Sequence, residues 1–262
     1  GERRPRAEEA GHEPPAKADE KLIYGFHAVH ARLRHDPAGV IDIYLDLTRR
    51  DARARELVNA ARDAGVKLAQ VEADRLERLV GKTARHQGVV ARVRPVTLAT
   101  SLDDILDAVD GPPLLLLLDG VTDPHNLGAI LRSADAFGAH AVIAPKDNAV
   151  GVNATVEKVA SGAADTVPYL MVTNLARTLG ELKERDIRVV GTSDDAERTI
   201  FEADLRGPVA LVLGAEGAGL RQLTRKTCDE LVRIPMAGAV ESLNVSVAAG
   251  VCLYEALRQR RG

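Results

Sequence analysis

The sequence predicts an α/β protein made of a small amino-terminal module and a larger domain with a parallel sheet. Residues 114–119 form the continuous apolar run LLLLLD, which is typical of a parallel strand covered on both faces. Further strand-like runs alternate with helical segments along the rest of the chain. A stretch punctuated by Pro95, Gly111, Pro112 and Pro113 separates the two parts.

The amino-terminal module is predicted to be a small α/β layer that ends near Pro95. Leu22, Phe26, Val29 and Leu33 share helical spacing, which predicts a first helix over these residues. Apolar alternation and turn residues predict the remaining elements, which are a strand at 40–47, a helix at 53–64 that ends at Gly65, and strands at 66–70 and 89–93.

The larger domain is predicted to hold an open parallel sheet with helices on both sides. A short helix is expected at 102–109, ahead of the sheet. Strands are expected at 114–119, 140–144, 187–191, 209–214 and 231–235. The resulting division is a disordered polar tail at 1–20, a module at 21–95, a linker at 96–112 and a domain at 113–262.

Composition excludes several classes of protein. Apolar residues make up 45% of the chain and charged residues 28%, as in ordinary globular proteins. No apolar run approaches the ~18 residues of a membrane span, and residues 1–20 lack the apolar segment of a signal peptide. Cys228 and Cys252 have no zinc or disulfide spacing, and His27 and His30 have no third ligand nearby. We therefore expect a cytoplasmic protein with no metal and no membrane partner.

Charge is distributed unevenly along the chain. Residues 21–97 carry 15 basic and 9 acidic side chains, whereas residues 98–262 carry 16 basic and 23 acidic ones. The strongest basic cluster is Arg49, Arg50, Arg53 and Arg55, which predicts contacts with RNA phosphates. The alternative is that these arginines form a solvated surface.

Three loops follow predicted strands, where parallel sheets bind their ligands. In the first, Asn126 is a natural helix N-cap, Gly128 allows close backbone approach, and Arg132 lies one turn further on. Taken alone, Asn126 is equally well explained as a plain cap, and Arg132 as the partner of Asp135.

The second loop, at 211–220, contains Gly214, Glu216, Gly217 and Gly219. Bare glycines let backbone amides approach a ligand, although a simple turn explains them as well. The phosphate-binding fingerprints of dinucleotide and nucleoside-triphosphate sites are absent from the sequence. The third loop leads to Ser242 and Asn244 ahead of a small-residue helix, and both residues could be mere caps.

In this order, the three loops resemble the signature motifs of the SPOUT (SpoU/TrmH) superfamily of RNA 2′-O-methyltransferases. The matches are N-x-G-x-x-x-R at 126–132, L-V-x-G-x-E-x-x-G at 211–219 and I-P-M-x-G-x-x-x-S-L-N-V-S-V-A at 234–248. Residues 24–33 and 86–93 resemble the ribosomal-protein-like RNA-binding domain of the branch that methylates guanosine riboses in 23S rRNA.

The resemblance implies a SPOUT-type catalytic domain with a carboxyl-terminal trefoil knot, a homodimer, S-adenosylmethionine as cofactor and 23S rRNA as substrate. It also implies the roles of individual residues. The implied catalytic residues are Asn126, Arg132, Glu216, Ser242 and Asn244. The implied cofactor-binding residues are Leu213, Gly214, Ile234, Met236 and Leu243.

Arg132 and Glu216 are the two candidates for the general base. A guanidinium keeps its proton throughout the physiological pH range, so Arg132 is better suited to binding the RNA phosphate and stabilising the developing alkoxide. Glu216 is the better proton acceptor, although a carboxylate is a weak base toward a sugar hydroxyl. The alternative functions are a tRNA ribose methyltransferase, a non-catalytic RNA-binding protein of ribosome assembly, and a nucleotide-dependent dehydrogenase.

Overall fold

The computed structural model describes residues 20–262, so residues 1–19 of the tail predicted at 1–20 lie outside the described residues. Glu20 is described, and its carboxylate lies 3.6 Å from the guanidinium of Arg92. The described residues form two compact units that divide between Pro95 and Val96. The trefoil knot stays a prediction.

The first unit is a four-stranded sheet with helices on both faces. Its strands are Lys21–Tyr24 (β1), Val40–Asp46 (β2), Lys67–Val71 (β3) and Val89–Val93 (β4), and its helices are Phe26–His35 (α1), Ala52–Asp63 (α2) and Ala73–Val80 (α3). The strand order is β1-β4-β2-β3, in which only β2 and β3 are parallel. One face of the sheet packs on α1 and α2, and Leu76 of α3 is buried against the other.

The predicted start of the first helix was wrong. Leu22 lies in β1, where it pairs with Arg92 of β4, and the helix begins only at Phe26. Gly25 separates the two elements with a φ of +89°, a conformation that interrupts a right-handed helix. Gly65 has a φ of +69° beyond the end of α2, as the sequence predicted. The third helix was not predicted.

The second unit is a seven-stranded sheet in which every pairing is parallel. Its strands are Leu114–Asp119 (β5), Ala141–Pro145 (β6), Tyr169–Val172 (β7), Arg188–Thr192 (β8), Arg198–Thr199 (β9), Val209–Gly214 (β10) and Glu230–Arg233 (β11). Its helices are Leu102–Ala108 (α4), Pro124–Phe137 (α5), Ala154–Ala160 (α6), Leu175–Glu184 (α7), Gln222–Thr227 (α8) and Val245–Arg261 (α9). The strand order is β7-β6-β5-β10-β8-β11-β9, and the sequence had not predicted β7 and β9.

The leucines of β5 show why this strand is apolar throughout. Leu114, Leu116 and Leu118 are buried with α5 and α9 on one face of the sheet, while Leu115 and Leu117 are buried with α7 on the other. Ile105 of α4 belongs to this second cluster, so part of the stretch predicted as a linker is packed into the core. Both faces are covered, as the apolar run predicted.

Candidate functional site

A cavity of about 290 Å³ lies at the carboxyl edge of the parallel sheet, in the second unit. The loops after β8, β10 and β11 surround it. Its lining includes all five residues predicted to bind a cofactor, which are Leu213, Gly214, Ile234, Met236 and Leu243. Glu216 and Ser242 of the predicted catalytic set also line it.

Gly214 ends β10 at a point where no side chain fits. A Cβ atom added there would lie 2.2 Å from the carbonyl carbon of Gly219, because the chain folds back through a bridge between Ala215 and Gly219. Gly217 and Gly219 have φ values of +77° and +68°, which favour glycine. The glycines predicted to allow close backbone approach therefore form one tight loop beside the cavity.

Glu216, which lines the cavity, comes together with Asn126 and Asn244 although the three residues are far apart in sequence. Asn244 Nδ2 donates hydrogen bonds to Asn126 Oδ1 at 3.1 Å and to Glu216 Oε1 at 2.8 Å. The same Glu216 oxygen accepts from the backbone N–H of Val245 at 3.0 Å. One residue from each of the three predicted loops thus joins a single network.

The helix caps differ from the sequence prediction at one position. Asp123, not Asn126, is the N-cap of α5, and its carboxylate accepts from the backbone N–H of His125 at 2.8 Å. Asn126 lies inside the first turn because Pro124 already starts the helix. Asn244 does cap α9, since its Oδ1 accepts from the backbone N–H groups of Ser246 and Val247.

Arg132 stands apart from this network. Its side chain is exposed on α5, and within the described residues it forms no ion pair with Asp135 or any other carboxylate. Asp135 instead accepts a hydrogen bond from the hydroxyl of Thr166 at 2.7 Å. The interpretation of Arg132 as a local helix ion pair is therefore wrong.

A polar wall of the cavity was not predicted from the sequence. Arg225 of α8 donates to the hydroxyl of Ser193 at 2.6 Å and to the carboxylate of Asp195 at 2.9 Å. Hydrogen bonds from Ser193 and Arg225 lower the pKa of Asp195. Arg233 fixes the same loop from β11 by donating to the carbonyls of Ala196 and Glu197. No local pattern links these residues, because each arginine lies 30 to 37 positions from its partners in the chain.

A second unpredicted contact ties the glycine-rich loop to β5. Asp119, whose side chain is fully buried, accepts from Arg221 Nε at 2.7 Å and from the Arg221 backbone N–H at 2.9 Å. Arg221 also reaches the carboxylate of Asp147 at 3.1 Å. The carboxyl-terminal end of the loop that carries Glu216 is thereby held against β5.

In the first unit, the four arginines predicted to meet RNA divide into two kinds. Arg49 is engaged within the protein, since it pairs with Asp51 at 3.0 Å, donates to the carbonyl of Gln87 at 2.9 Å and lies 4.8 Å from the ring centre of Phe26. The hydrogen bond from Arg49 lowers the pKa of Asp51. The side chains of the other three are exposed, namely Arg50, Arg53 and Arg55, although the guanidinium of Arg53 also lies 6.0 Å from the ring centre of Phe26.

Residues 20–262 also bear on two other classes of site. No group of histidine, cysteine, aspartate or glutamate side chains in this part of the chain is arranged to hold a metal ion. None of its helices is both long and apolar enough to cross a membrane.

Two family models match the sequence. One, described as the SpoU rRNA Methylase family, matches residues 113–254, which is more than half of the chain. The other, described as RNA 2′-O ribose methyltransferase substrate binding, matches residues 22–99. These matches confirm the resemblance that the three loops indicated.

Curated relatives align along nearly the whole chain. A protein from Ralstonia nicotianae named 23S rRNA (guanosine-2′-O-)-methyltransferase RlmB is 63% identical over 240 residues, which cover 92% of this chain and 96% of that protein. A relative of the same name from Bordetella pertussis is 60% identical over 245 residues, covering 94% and 100%.

Solved structures show the same fold. A crystal structure of an RNA 2′-O ribose methyltransferase has a TM-score of 0.69 at 30% identity and covers 93% of this chain and 90% of its own. The SpoU methyltransferase AviRb from Streptomyces viridochromogenes, in complex with the cofactor AdoMet, has a TM-score of 0.67 at 32% identity, with coverages of 93% and 92%. The predicted α/β fold with a parallel sheet is confirmed.

Proposed function

The chain belongs to the SpoU rRNA methylase family, and from this membership we propose that it transfers a methyl group from S-adenosylmethionine to a guanosine ribose 2′-oxygen in 23S rRNA. The observation that carries the proposal is the cavity at the carboxyl edge of the sheet, with Glu216 of its lining hydrogen-bonded to Asn244 and Asn244 to Asn126. The nucleotide is taken from the activity named for the relatives.

The cavity suits S-adenosylmethionine in its chemistry. Leu213, Ile234 and Leu243 provide apolar walls for the adenosine, and the bare backbone at Gly214 leaves room for close approach. Met236 adds a flexible apolar side chain. When bound, S-adenosylmethionine supplies a methyl group on a positively charged sulfur that leaves readily, so the protein's main tasks are alignment and control of the proton.

In the proposed reaction, the ribose 2′-oxygen bonds to the methyl carbon while the carbon–sulfur bond breaks and the hydroxyl proton is released. We propose that Asn126, Arg132 and Ser242 contact the ribose and its phosphate. A guanidinium donates hydrogen bonds and does not accept protons, so the role proposed for Arg132 is to bind the phosphate and stabilise the charge that develops on the oxygen. Its exposure and lack of an ion pair among the described residues leave it available for this role.

We propose that residues 21–95 bind the RNA and that residues 113–262 catalyse the transfer. Residues 96–112 connect these two parts of the chain. The excess of basic side chains in the amino-terminal part supports this division, as does the match to a substrate-binding family model. Arg50, Arg53 and Arg55 are exposed and available to phosphates. A ribosomal RNA substrate also implies that the enzyme acts in the cytoplasm.

A homodimer is the proposed assembly. An open apolar groove between α5 and α9 is lined by Phe201, Val247, Val251 and Tyr254. These side chains are 64%, 51%, 37% and 59% exposed in the single chain. A contiguous apolar surface of this kind is typical of a protein interface, and a second copy of the chain is the occupant that we propose.

Methyl transfer tests the proposal directly. Purified protein is incubated with tritiated S-adenosylmethionine and 23S rRNA from cells that lack the corresponding gene, and modified nucleotides are mapped by primer-extension stops. We expect one ribose methyl group on one guanosine of 23S rRNA. Ribosomal RNA from cells with the intact gene is the control and should accept little label.

Two other outcomes would contradict the proposal in different ways. Transfer to tRNA but not to 23S rRNA would keep the reaction and refute the substrate. No transfer to either RNA, in a protein that still binds RNA, would favour a non-catalytic role in ribosome assembly.

A further inference from the structure

The side-chain amide of Asn244 is fully used by contacts within the protein. Its two N–H groups donate to Asn126 Oδ1 and Glu216 Oε1, and a primary amide has no others. Its oxygen accepts from the backbone N–H groups of Ser246 at 2.9 Å and Val247 at 3.4 Å, and from the Ser246 hydroxyl. Asn244 therefore has no N–H donor left for a substrate.

The surroundings allow only one orientation of this amide. The backbone N–H groups at the start of α9 can only donate, so the oxygen of Asn244 must face them. The carboxylate of Glu216 is itself fixed by the backbone N–H of Val245 at 3.0 Å, and it accepts from the nitrogen of Asn244. A flipped amide would set donor against donor and oxygen against carboxylate.

This orientation is passed on to Asn126. Because Asn244 presents an N–H group, Asn126 must turn its oxygen toward Asn244 and its own nitrogen away. Among the described residues, Asn126 Nδ2 has no hydrogen-bond partner, and it is not a buried atom. Two N–H donors are thus held in a defined direction in the first turn of α5.

We infer that Glu216 and Asn244 are positioning residues that fix the amide orientation of Asn126, whose Nδ2 group donates to a ribose or phosphate oxygen of the RNA substrate. The inference rests on the proposed function. The inference also means that Glu216 is not the proton acceptor that its chemistry had suggested. Its carboxylate instead accepts the hydrogen bond that fixes the orientation of Asn244. Asn126 is then the catalytic residue of the three, since it alone touches the substrate.

Substitution of Glu216 separates positioning from base catalysis. In Glu216→Gln, the side-chain carbonyl still accepts from Val245 and Asn244, so the orientation of the network is kept. We expect kcat within about tenfold of wild type for Glu216→Gln, with an unchanged pH profile, and a loss of about 100-fold for Glu216→Ala. If Glu216→Gln were as inactive as Glu216→Ala, Glu216 would be the base and the inference would be wrong.

Substitution of Asn126 tests the donor itself. Asn126→Asp keeps an oxygen for Asn244 but replaces the outward N–H groups with a second oxygen. We expect kcat to fall by about 100-fold while the Kd for S-adenosylmethionine, measured by calorimetry, stays within about twofold of wild type. A wild-type rate in Asn126→Asp would overturn the donor role.

The same assays distinguish failure of this inference from failure of the proposed function. Wild-type protein is measured beside every variant on 23S rRNA. No transfer by wild type would refute the proposed function, whereas active wild type with inactive Glu216→Gln would refute only the positioning role. Both informative variants are nearly isosteric, and calorimetric cofactor binding shows in each case that the site is folded.

Discussion

At the scale of single residues, Arg132 and Asn126 share a helix but differ in how they are held. Asn126 is oriented by Asn244, whereas Arg132 is exposed and forms no ion pair with another described residue. A guanidinium offers five donors in a planar fork that matches a phosphate. Because no ion pair with another described residue holds Arg132, we expect its side chain to take a fixed orientation when it binds the phosphate of the substrate RNA.

Replacing Arg132 tests this interpretation. Arg132→Ala should lower kcat by about 100-fold or more and leave the affinity for S-adenosylmethionine near wild type, because the cavity does not include Arg132. Radiolabel transfer and calorimetry measure the two effects. Arg177→Ala is the matched control, because it removes an exposed arginine from a different helix, α7. This variant should be active. A large loss of cofactor binding in Arg132→Ala would refute the assignment.

At the scale of elements, the site depends on how the carboxyl ends of β5 and β10 are joined. These strands are neighbours, with Asp119 level with Gly214. Asp119 is fully buried, and its charge is compensated by Arg221, whose side chain is 45% exposed. This pair anchors the loop that carries Glu216, so its removal should affect both stability and the network around Asn244.

Arg221→Ala should lower the free energy of unfolding by about 2 kcal/mol. Removing one partner of a buried pair leaves the other charge uncompensated, and the partial exposure of Arg221 reduces the full effect. Urea denaturation measures the change. Arg206→Ala is the control, because its pair with Asp204 has both side chains exposed and should contribute little. Equal midpoints for the two variants would show that the Asp119 contact does not stabilise the fold.

The elements also show what the sequence could predict. Strands β5 and β10 were located closely because their apolar runs are uninterrupted and burial dictates them. The start of the first helix was misplaced because Leu22 fits both a helix and a strand, and only pairing with β4 decides between them. Asn244 was identified both as a cap and as a site residue, and it is both a cap and a member of the network. The wall formed by Arg225 and Ser193 could not be predicted, because only the fold brings these residues together.

At the scale of the whole molecule, charge separates the chain into a basic and an acidic part. Reversing Arg50, Arg53 and Arg55 to glutamate should weaken RNA binding and flatten its dependence on salt, by about 0.7 to 0.9 in log–log slope for each phosphate that the protein no longer neutralises. Filter binding over a range of salt concentrations measures both quantities. Cofactor affinity should not change.

A control with the same net charge is available within the first unit. Arg34, Arg62 and Arg78 are also exposed there, and reversing them makes the same change in total charge. Their reversal should weaken RNA binding less than the first triple substitution. Equal effects would mean that net charge alone attracts RNA, and the predicted local contact would be wrong.

The groove between α5 and α9 gives the proposed dimer a testable surface. Val251 and Tyr254 of α9 are exposed in the single chain, and a carboxylate placed among them would be desolvated if a second copy covered them. Val251→Asp should therefore shift the protein from dimer to monomer in sedimentation equilibrium, with its circular dichroism unchanged. Leu223→Asp provides the matched control, since Leu223 is 62% exposed on α8 and does not line the groove. A monomeric wild type would refute the dimer, and a dimeric Val251→Asp variant would move the interface to another face.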